Sequence, residues 1–169
     1  MAAVTDSTRN AVWQEMLDAA RLARYYDSMS SRQQRWNRGV RLVLLASATA
    51  GIAAGMNALP ESFRVVSGAV IGILVAWDFL ADHANKAAVL GSIRRECNEA
   101  EVELAALWGE IQADSVEDND ARRMLADLAR RVTRATDRAG SAHIPTNDRL
   151  NVRCEEAAFK ALADRYAEG

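Results

Sequence analysis

The chain has 169 residues, a formal net charge of −2 and a hydrophobic fraction of 50%. This length corresponds to about one domain, and the near-neutral charge balance does not indicate binding of nucleic acid or acidic lipid by the chain as a whole. Two prolines and abundant Ala, Leu, Arg and Glu predict an all-α fold, and the two cysteines, Cys97 and Cys154, form neither a disulfide framework nor a CxxC metal pair, which favours a reducing compartment.

The first predicted element is an amphipathic helix that begins near Arg9. Apolar residues recur at helical spacing over residues 12–23, and a polar, basic stretch follows over residues 28–41. Residues 1–41 are therefore predicted to form an N-terminal cytoplasmic helix and a basic approach to a hydrophobic region. The arginines of this approach are Arg32, Arg35, Arg38 and Arg41.

Two hydrophobic runs predict a helical hairpin in a membrane. Residues 42–59 carry no charge, and residues 65–77 form a second uncharged run that continues as apolar sequence from Phe79 to Ala81. The first run would be about 27 Å long as a helix, close to the ~30 Å of a hydrocarbon core. We predict two transmembrane helices within residues 42–81, with the tip at about 60–64. The alternative is a buried helical hairpin in a soluble protein.

The charges that flank the hairpin predict its orientation. Arginines precede the first run and Lys86, Arg94 and Arg95 follow the second, whereas the link between the runs contains Arg64 and Glu61. Since positively charged flanks remain in the cytoplasm, both termini are predicted to be cytoplasmic.

Both hydrophobic runs carry small residues at four-residue spacing. Small residues let two helix backbones approach closely in a membrane, where packing contacts hold helices together. The candidate packing residues are Ser47, Gly51 and Gly55 in the first run and Gly68, Gly72 and Ala76 in the second. This spacing also arises by chance in helices rich in Ala and Gly, and it does not distinguish packing within a chain from packing between chains.

Acidic residues at the end of the second run are candidate pore or selectivity residues. Asp78 and Asp82 are four positions apart and share a helical face, and His83 follows directly. An ionisable group at membrane depth is unfavourable unless it faces water or a partner, and one aspartate per subunit of a cyclic oligomer forms a ring that favours cations. The alternative is an ordinary membrane exit with the first charges at the headgroups.

Residues 82–169 are predicted to form a C-terminal cytoplasmic helical region. The second membrane helix continues to about Ala113, another helix covers about residues 121–139, and a last helix covers about residues 148–166. In the long helix, apolar residues alternate at spacings of three and four over three heptads, which predicts a coiled-coil seam for oligomerisation. The seam residues are Leu90, Ile93, Cys97, Ala100, Leu104, Leu107 and Ile111.

A row of arginines on the helix over residues 121–139 is a candidate site for a nucleotide or another phosphate-bearing ligand. Arg131, Arg134 and Arg138 share a face and Arg130 is adjacent, and guanidinium groups bind phosphates bidentately. Aspartates are interleaved with these arginines, so a solvated face crossed by salt bridges is the alternative. Binding to duplex DNA is not expected.

The sequence carries no signature of an enzyme. It contains no Gly-rich phosphate loop and no HExxH motif, and His83 and His143 are isolated from each other and from both cysteines. We therefore expect no catalytic residues, no cofactor and no metal site.

Three segments of the chain together form a recognisable layout. They are the basic approach RQQRWNRGVR, the hairpin with LPES at its tip, and the long helix that opens WDFLADHANKAAVLGSIRRE. This layout, over about residues 10–113, resembles the bacterial SLATT family of two-transmembrane proteins, which are associated with nucleotide-signalling antiviral defence. The resemblance implies a pore-forming effector that oligomerises in the bacterial inner membrane and permeabilises it. The signal would be a nucleotide or oligonucleotide made or withdrawn by a partner nucleotidyltransferase.

The leading expectation is a gated ion channel that is a homo-oligomer, with a tetramer favoured. The alternative is a non-conducting, membrane-anchored helical scaffold that recruits a cytoplasmic partner.

Overall fold

The computed structural model describes residues 3–55, 66, 69–70, 72–73, 75 and 83–166. Side chains are described for residues 3–46, for residues 66, 69, 70, 72, 73 and 75, and for residues 85–166. In these ranges the helices with defined ends are α1 (Asp6–Gly55), α2 (His83–Gln112), α3 (Asp118–Ser141) and α4 (Asp148–Tyr166). No strand occurs in the described part of the chain, so the predicted all-α fold is confirmed.

Within the described ranges, no helix is both long enough and apolar enough to cross a bilayer. Much of the predicted transmembrane hairpin, including its tip at residues 60–64, lies outside the described residues.

Contacts divide the chain into two units. The first, which we call the bundle, comprises residues 1–29 and 89–169, and the second, which we call the hydrophobic unit, comprises residues 30–88. The boundaries predicted from hydropathy, after residues 41 and 81, differ from these. Hydropathy separates the N-terminal helix from the C-terminal region, whereas packing joins the first part of α1 to α2, α3 and α4.

The core of the bundle is one apolar cluster to which all four helices contribute. Spacings of three and four residues place the apolar side chains of each helix on one face, and these faces meet. Alanine occupies many of the core positions, and its small side chain allows close approach of the helices. The residues without exposed surface are Val12, Met16, Ala19 and Ala20 in α1, Ile93, Cys97, Ala100, Leu104, Leu107 and Ile111 in α2, Ala121 and Ala135 in α3, and Ala158 and Leu162 in α4.

Side-chain caps define two helix starts. The Thr8 N–H donates to Thr5 Oγ1 at 3.4 Å, which lets α1 begin at Asp6 rather than near Arg9. At α4, the Leu150 N–H donates to Asn147 Oδ1 at 3.0 Å.

The ends of α2 and α3 use a left-handed residue that is not glycine. His143 has φ 50° and follows α3. Its N–H donates to the carbonyl of Gly140 at 3.0 Å, and the Ile144 N–H donates to the carbonyl of Ala139 at 3.2 Å, which is the Schellman arrangement. Asp114 has the same φ after α2. These two turns reverse the chain after each helix.

The start of α1 is tied to the first turn of α3 through Asp118. The Thr5 N–H and the Thr8 hydroxyl donate to Asp118 Oδ1 at 3.0 and 2.7 Å, and Arg122 Nε lies 2.8 Å from Asp118 Oδ2. These donors, the Thr5 N–H first among them, lower the pKa of Asp118 below its ordinary value.

We expect this network to make stability sensitive to acid. Because the folded-state pKa of Asp118 is lowered, its stabilising contribution is complete above the unfolded-state pKa of about 3.9 and is lost as the pH falls through the folded-state pKa. Asp118→Asn is therefore expected to be less stable than the native chain at neutral pH, with a difference that shrinks below about pH 4. Urea unfolding at a series of pH values measures this. Asp120→Asn in the same turn is the control, and a pH-independent difference for Asp118→Asn contradicts the prediction.

Candidate functional site

The predicted oligomer seam of α2 lies inside the bundle. Each of its seven residues is at most 2% exposed and belongs to the core cluster of the chain. The heptad spacing is present, but α1, α3 and α4 of the same chain cover these seven residues, which we call the α2 stripe. The α2 stripe is therefore not available as an interface between folded copies. This corrects the prediction of an oligomer seam, because packing of neighbouring helices at a shallow angle selects the same spacing within a chain.

Both cysteines are free and buried in the bundle. Burial raises the pKa of Cys97 to about 11 and also raises the pKa of Cys154. The thiol form of each therefore predominates at neutral pH, and neither cysteine has the environment of a reactive nucleophile.

Two of the candidate phosphate-binding arginines of α3 are held by glutamates of α2. Arg131 Nη1 donates to both carboxylate oxygens of Glu103 at 2.8 Å, and Arg138 Nη2 lies 2.5 Å from Glu96 Oε2. Arg131 and Arg138 are seven positions apart in α3, and their partners Glu103 and Glu96 are seven positions apart in α2 but in the reverse order along the chain. The two pairs therefore join antiparallel helices.

The other two arginines of the row remain on the surface of α3. Arg130 Nη2 lies 2.7 Å from Asp127 Oδ1. Arg134 Nε donates to the carbonyl of Arg130 at 3.2 Å and has no ion pair among the described residues. The alternative of a face crossed by salt bridges thus describes this row better than a phosphate site. The prediction that this row binds a phosphate-bearing ligand stays a prediction.

Most of the predicted pore and membrane-packing residues lie outside the described residues or have only their backbone described. The residues outside the described ranges are Asp78, Asp82, Gly68 and Ala76. The residues with only their backbone described are Ser47, Gly51, Gly55 and His83. Their roles stay predictions. At Gly72, a Cβ added to the backbone would meet nothing within 4 Å, so no close approach within the described chain requires glycine there.

The hydrophobic unit exposes large aliphatic side chains on helical backbone. Their exposed fractions lie between 42% and 68%, and they are Leu42, Val43, Leu45, Val66, Val70, Ile73 and Val75. Successive residues of a helix are about 100° apart, so Leu42, Val43 and Leu45 cannot share one narrow face of α1. The exposed apolar surface is therefore broader than a stripe that one neighbouring helix would cover.

The bundle also has a groove of about 530 Å³ that no sequence motif marks. We call it the arginine groove. Its charged lining residues are Arg24 and Asp27 from α1, Arg94, Arg95 and Glu101 from α2, and Arg165 from α4. The one sequence signal for it is the Arg94–Arg95 doublet, which the hydropathy pattern assigns only to a membrane flank.

Comparison of the chain with protein-family models finds no match, and comparisons with curated proteins and with solved structures find none either. Among the described residues, no group of three or more His, Cys, Asp and Glu side chains could hold a metal ion.

Proposed function

We propose that the chain is a membrane-anchored, all-α effector that forms a homo-oligomeric, ion-conducting pore in the bacterial inner membrane. In this proposal, the hydrophobic unit enters the bilayer and the bundle lies in the cytoplasm, where it binds a phosphate-bearing signal. The observation that carries the membrane part is the set of seven exposed aliphatic side chains in the hydrophobic unit. At roughly 1.5–3 kcal/mol for full burial of each, their transfer out of water stabilises an inserted state by on the order of 10 kcal/mol.

The distribution of charge supports the same arrangement. Residues 28–60 contain no acidic residue, and the four arginines of the basic approach are all exposed. Exposed arginines beside a hydrophobic run favour the cytoplasmic side of a membrane and contact with anionic headgroups. The pore, the antiviral role and the nucleotide signal rest on the resemblance to the SLATT family and on the position of Asp78 and Asp82 in the sequence.

Conductance in planar bilayers tests the proposal. The full chain is expected to give cation-selective currents, and Asp78→Asn is expected to lower the cation-to-anion permeability ratio, because it removes a ring of carboxylates. Asp164→Asn, an exposed aspartate of α4, is the matched control and should leave selectivity unchanged. If the membrane-bound chain gives no current with or without added nucleotides, the pore proposal fails.

A non-conducting membrane scaffold that recruits a cytoplasmic partner is the second candidate. The burial of the α2 stripe favours it, because that stripe is not available for assembly of copies. A scaffold would fractionate with membranes, give no current and be insensitive to Asp78→Asn. Extraction of the chain from cells without detergent would contradict both candidates.

A further inference from the structure

The arginine groove has an excess of positive charge. Four guanidinium groups and two carboxylates line it, which leaves a formal excess of two positive charges. Its volume of about 530 Å³ is within the usual range for small-molecule sites, roughly 300–1,000 Å³. The groove is thus large enough for an anion the size of a mononucleotide or a sugar phosphate.

The ion pairs of the groove leave donors available. Asp27 pairs with Arg94, while Arg165 Nη1 is 3.8 Å from Glu101 Oε1, which is longer than a hydrogen bond. Glu101 is only 9% exposed, so this loosely paired carboxylate holds Arg165 near the groove without occupying its donors.

The other two arginines of the groove, Arg24 and Arg95, form no ion pair among the described residues. Arg24 Nη1 donates to the carbonyl of Ala20 at 3.0 Å, which uses one of its five N–H groups. Arg95 is exposed. By contrast, Arg131 in α3 donates to both oxygens of Glu103. The groove therefore offers more free guanidinium donors than the arginine row of α3.

We infer that the arginine groove binds a small anion that carries a phosphate group. A phosphomonoester has a charge of about −1.5 to −2 at neutral pH, which matches the formal excess of the groove, and guanidinium groups bind its oxygens bidentately. The inference rests on the proposed function in that it locates the site for its phosphate-bearing signal, and it moves that site from α3 to the groove between α1, α2 and α4. A soluble phosphate and a phospholipid headgroup share this chemistry.

Binding to the full chain in detergent micelles tests the inference by isothermal titration calorimetry. The soluble probes are inorganic pyrophosphate and adenosine monophosphate, and the lipid probe is phosphatidic acid added to the micelles. We expect saturable binding of at least one probe. Arg95→Gln and Arg24→Gln are each expected to weaken it by about tenfold or more, because each removes charge-assisted hydrogen bonds without breaking an ion pair of the chain.

Two variants with the same change of charge serve as controls. Arg153→Gln, on the exposed surface of α4, and Arg134→Gln, in the α3 row, should each change the affinity by less than about twofold if binding depends on the groove rather than on net charge. Circular dichroism establishes that the variants are folded.

The possible results separate the inference from the proposed function. Binding of a soluble probe supports a soluble ligand, and binding of phosphatidic acid alone supports a lipid headgroup in the same groove. Absence of saturable binding of every probe, or an equal loss in Arg153→Gln or Arg134→Gln, overturns the inference. Phosphate binding without current supports the proposed site and contradicts the proposed pore. Current without phosphate binding supports the pore and contradicts the site.

Discussion

Replacement of Leu104 by alanine is expected to lower the free energy of unfolding of the bundle by about 2–5 kcal/mol. Leu104 has no exposed surface and lies within the buried stripe of α2. Truncation removes the burial of its side chain and leaves a cavity that the surrounding helices fill only in part. Urea unfolding followed by circular dichroism measures the loss.

Val102→Ala is the matched control for this change. Val102 is 63% exposed and lies two positions away on the same helix, so its truncation should change the free energy of unfolding by no more than about 0.5 kcal/mol. Because the stripe packs within the chain, the loss in Leu104→Ala should not depend on protein concentration. A loss that grows on dilution would instead place the stripe between copies, as the heptad pattern alone suggests.

The helices of the bundle could be predicted from the sequence because each has a regular apolar face and a recognisable boundary. Asn147 precedes α4 as a good N-cap, and the predicted range 148–166 is the range observed. In contrast, the sequence pattern divides this part of the chain into a helix, a basic approach and a hydrophobic run, whereas the structure has one helix, α1, that continues through the basic stretch to Gly55. Arg and Gln are good helix formers, so a change in polarity at residues 28–41 is not a change in backbone conformation.

The partner of a helical face could not be predicted from that face. The residues from Leu90 to Ile111 have the spacing of a coiled-coil seam, and the same spacing serves a helix packed against neighbours in its own chain. Likewise, four arginines in α3 indicate a basic face, but the pairing of Arg131 with Glu103 depends on the register between α2 and α3. That register is a tertiary property that a single helix does not encode.

The arginine groove shows the same limitation for a candidate site. Arg24, Arg95 and Arg165 are far apart in the sequence and carry no common motif. Only the packing of α1, α2 and α4 brings them to one groove. The sequence shows clusters of charge that are close in the chain, whereas the arginine groove is assembled by the fold.

Replacement of Trp13 by alanine is expected to lower the free energy of unfolding of the bundle by about 3 kcal/mol. The Trp13 ring lies 5.6 Å from the ring of Trp108 and 5.8 Å from that of Tyr166, between ring centroids, and the rings of Trp108 and Tyr166 are 6.4 Å apart. These three residues join α1, α2 and the last residue of α4. Loss of Trp13 should therefore also speed hydrogen exchange at the end of α4, which mass spectrometry of the deuterated chain can measure.

A double-mutant cycle separates the ring contacts from the loss of buried area. Trp13→Ala and Trp108→Ala together should be less destabilising than the sum of the single changes by about 0.5–1.5 kcal/mol, the usual value for an aromatic pair in contact. Phe159→Ala is the control, because Phe159 is an aromatic residue of α4 that is 55% exposed and outside the cluster. If Trp13→Ala is no more destabilising than Phe159→Ala, the aromatic cluster does not hold α1, α2 and α4 together.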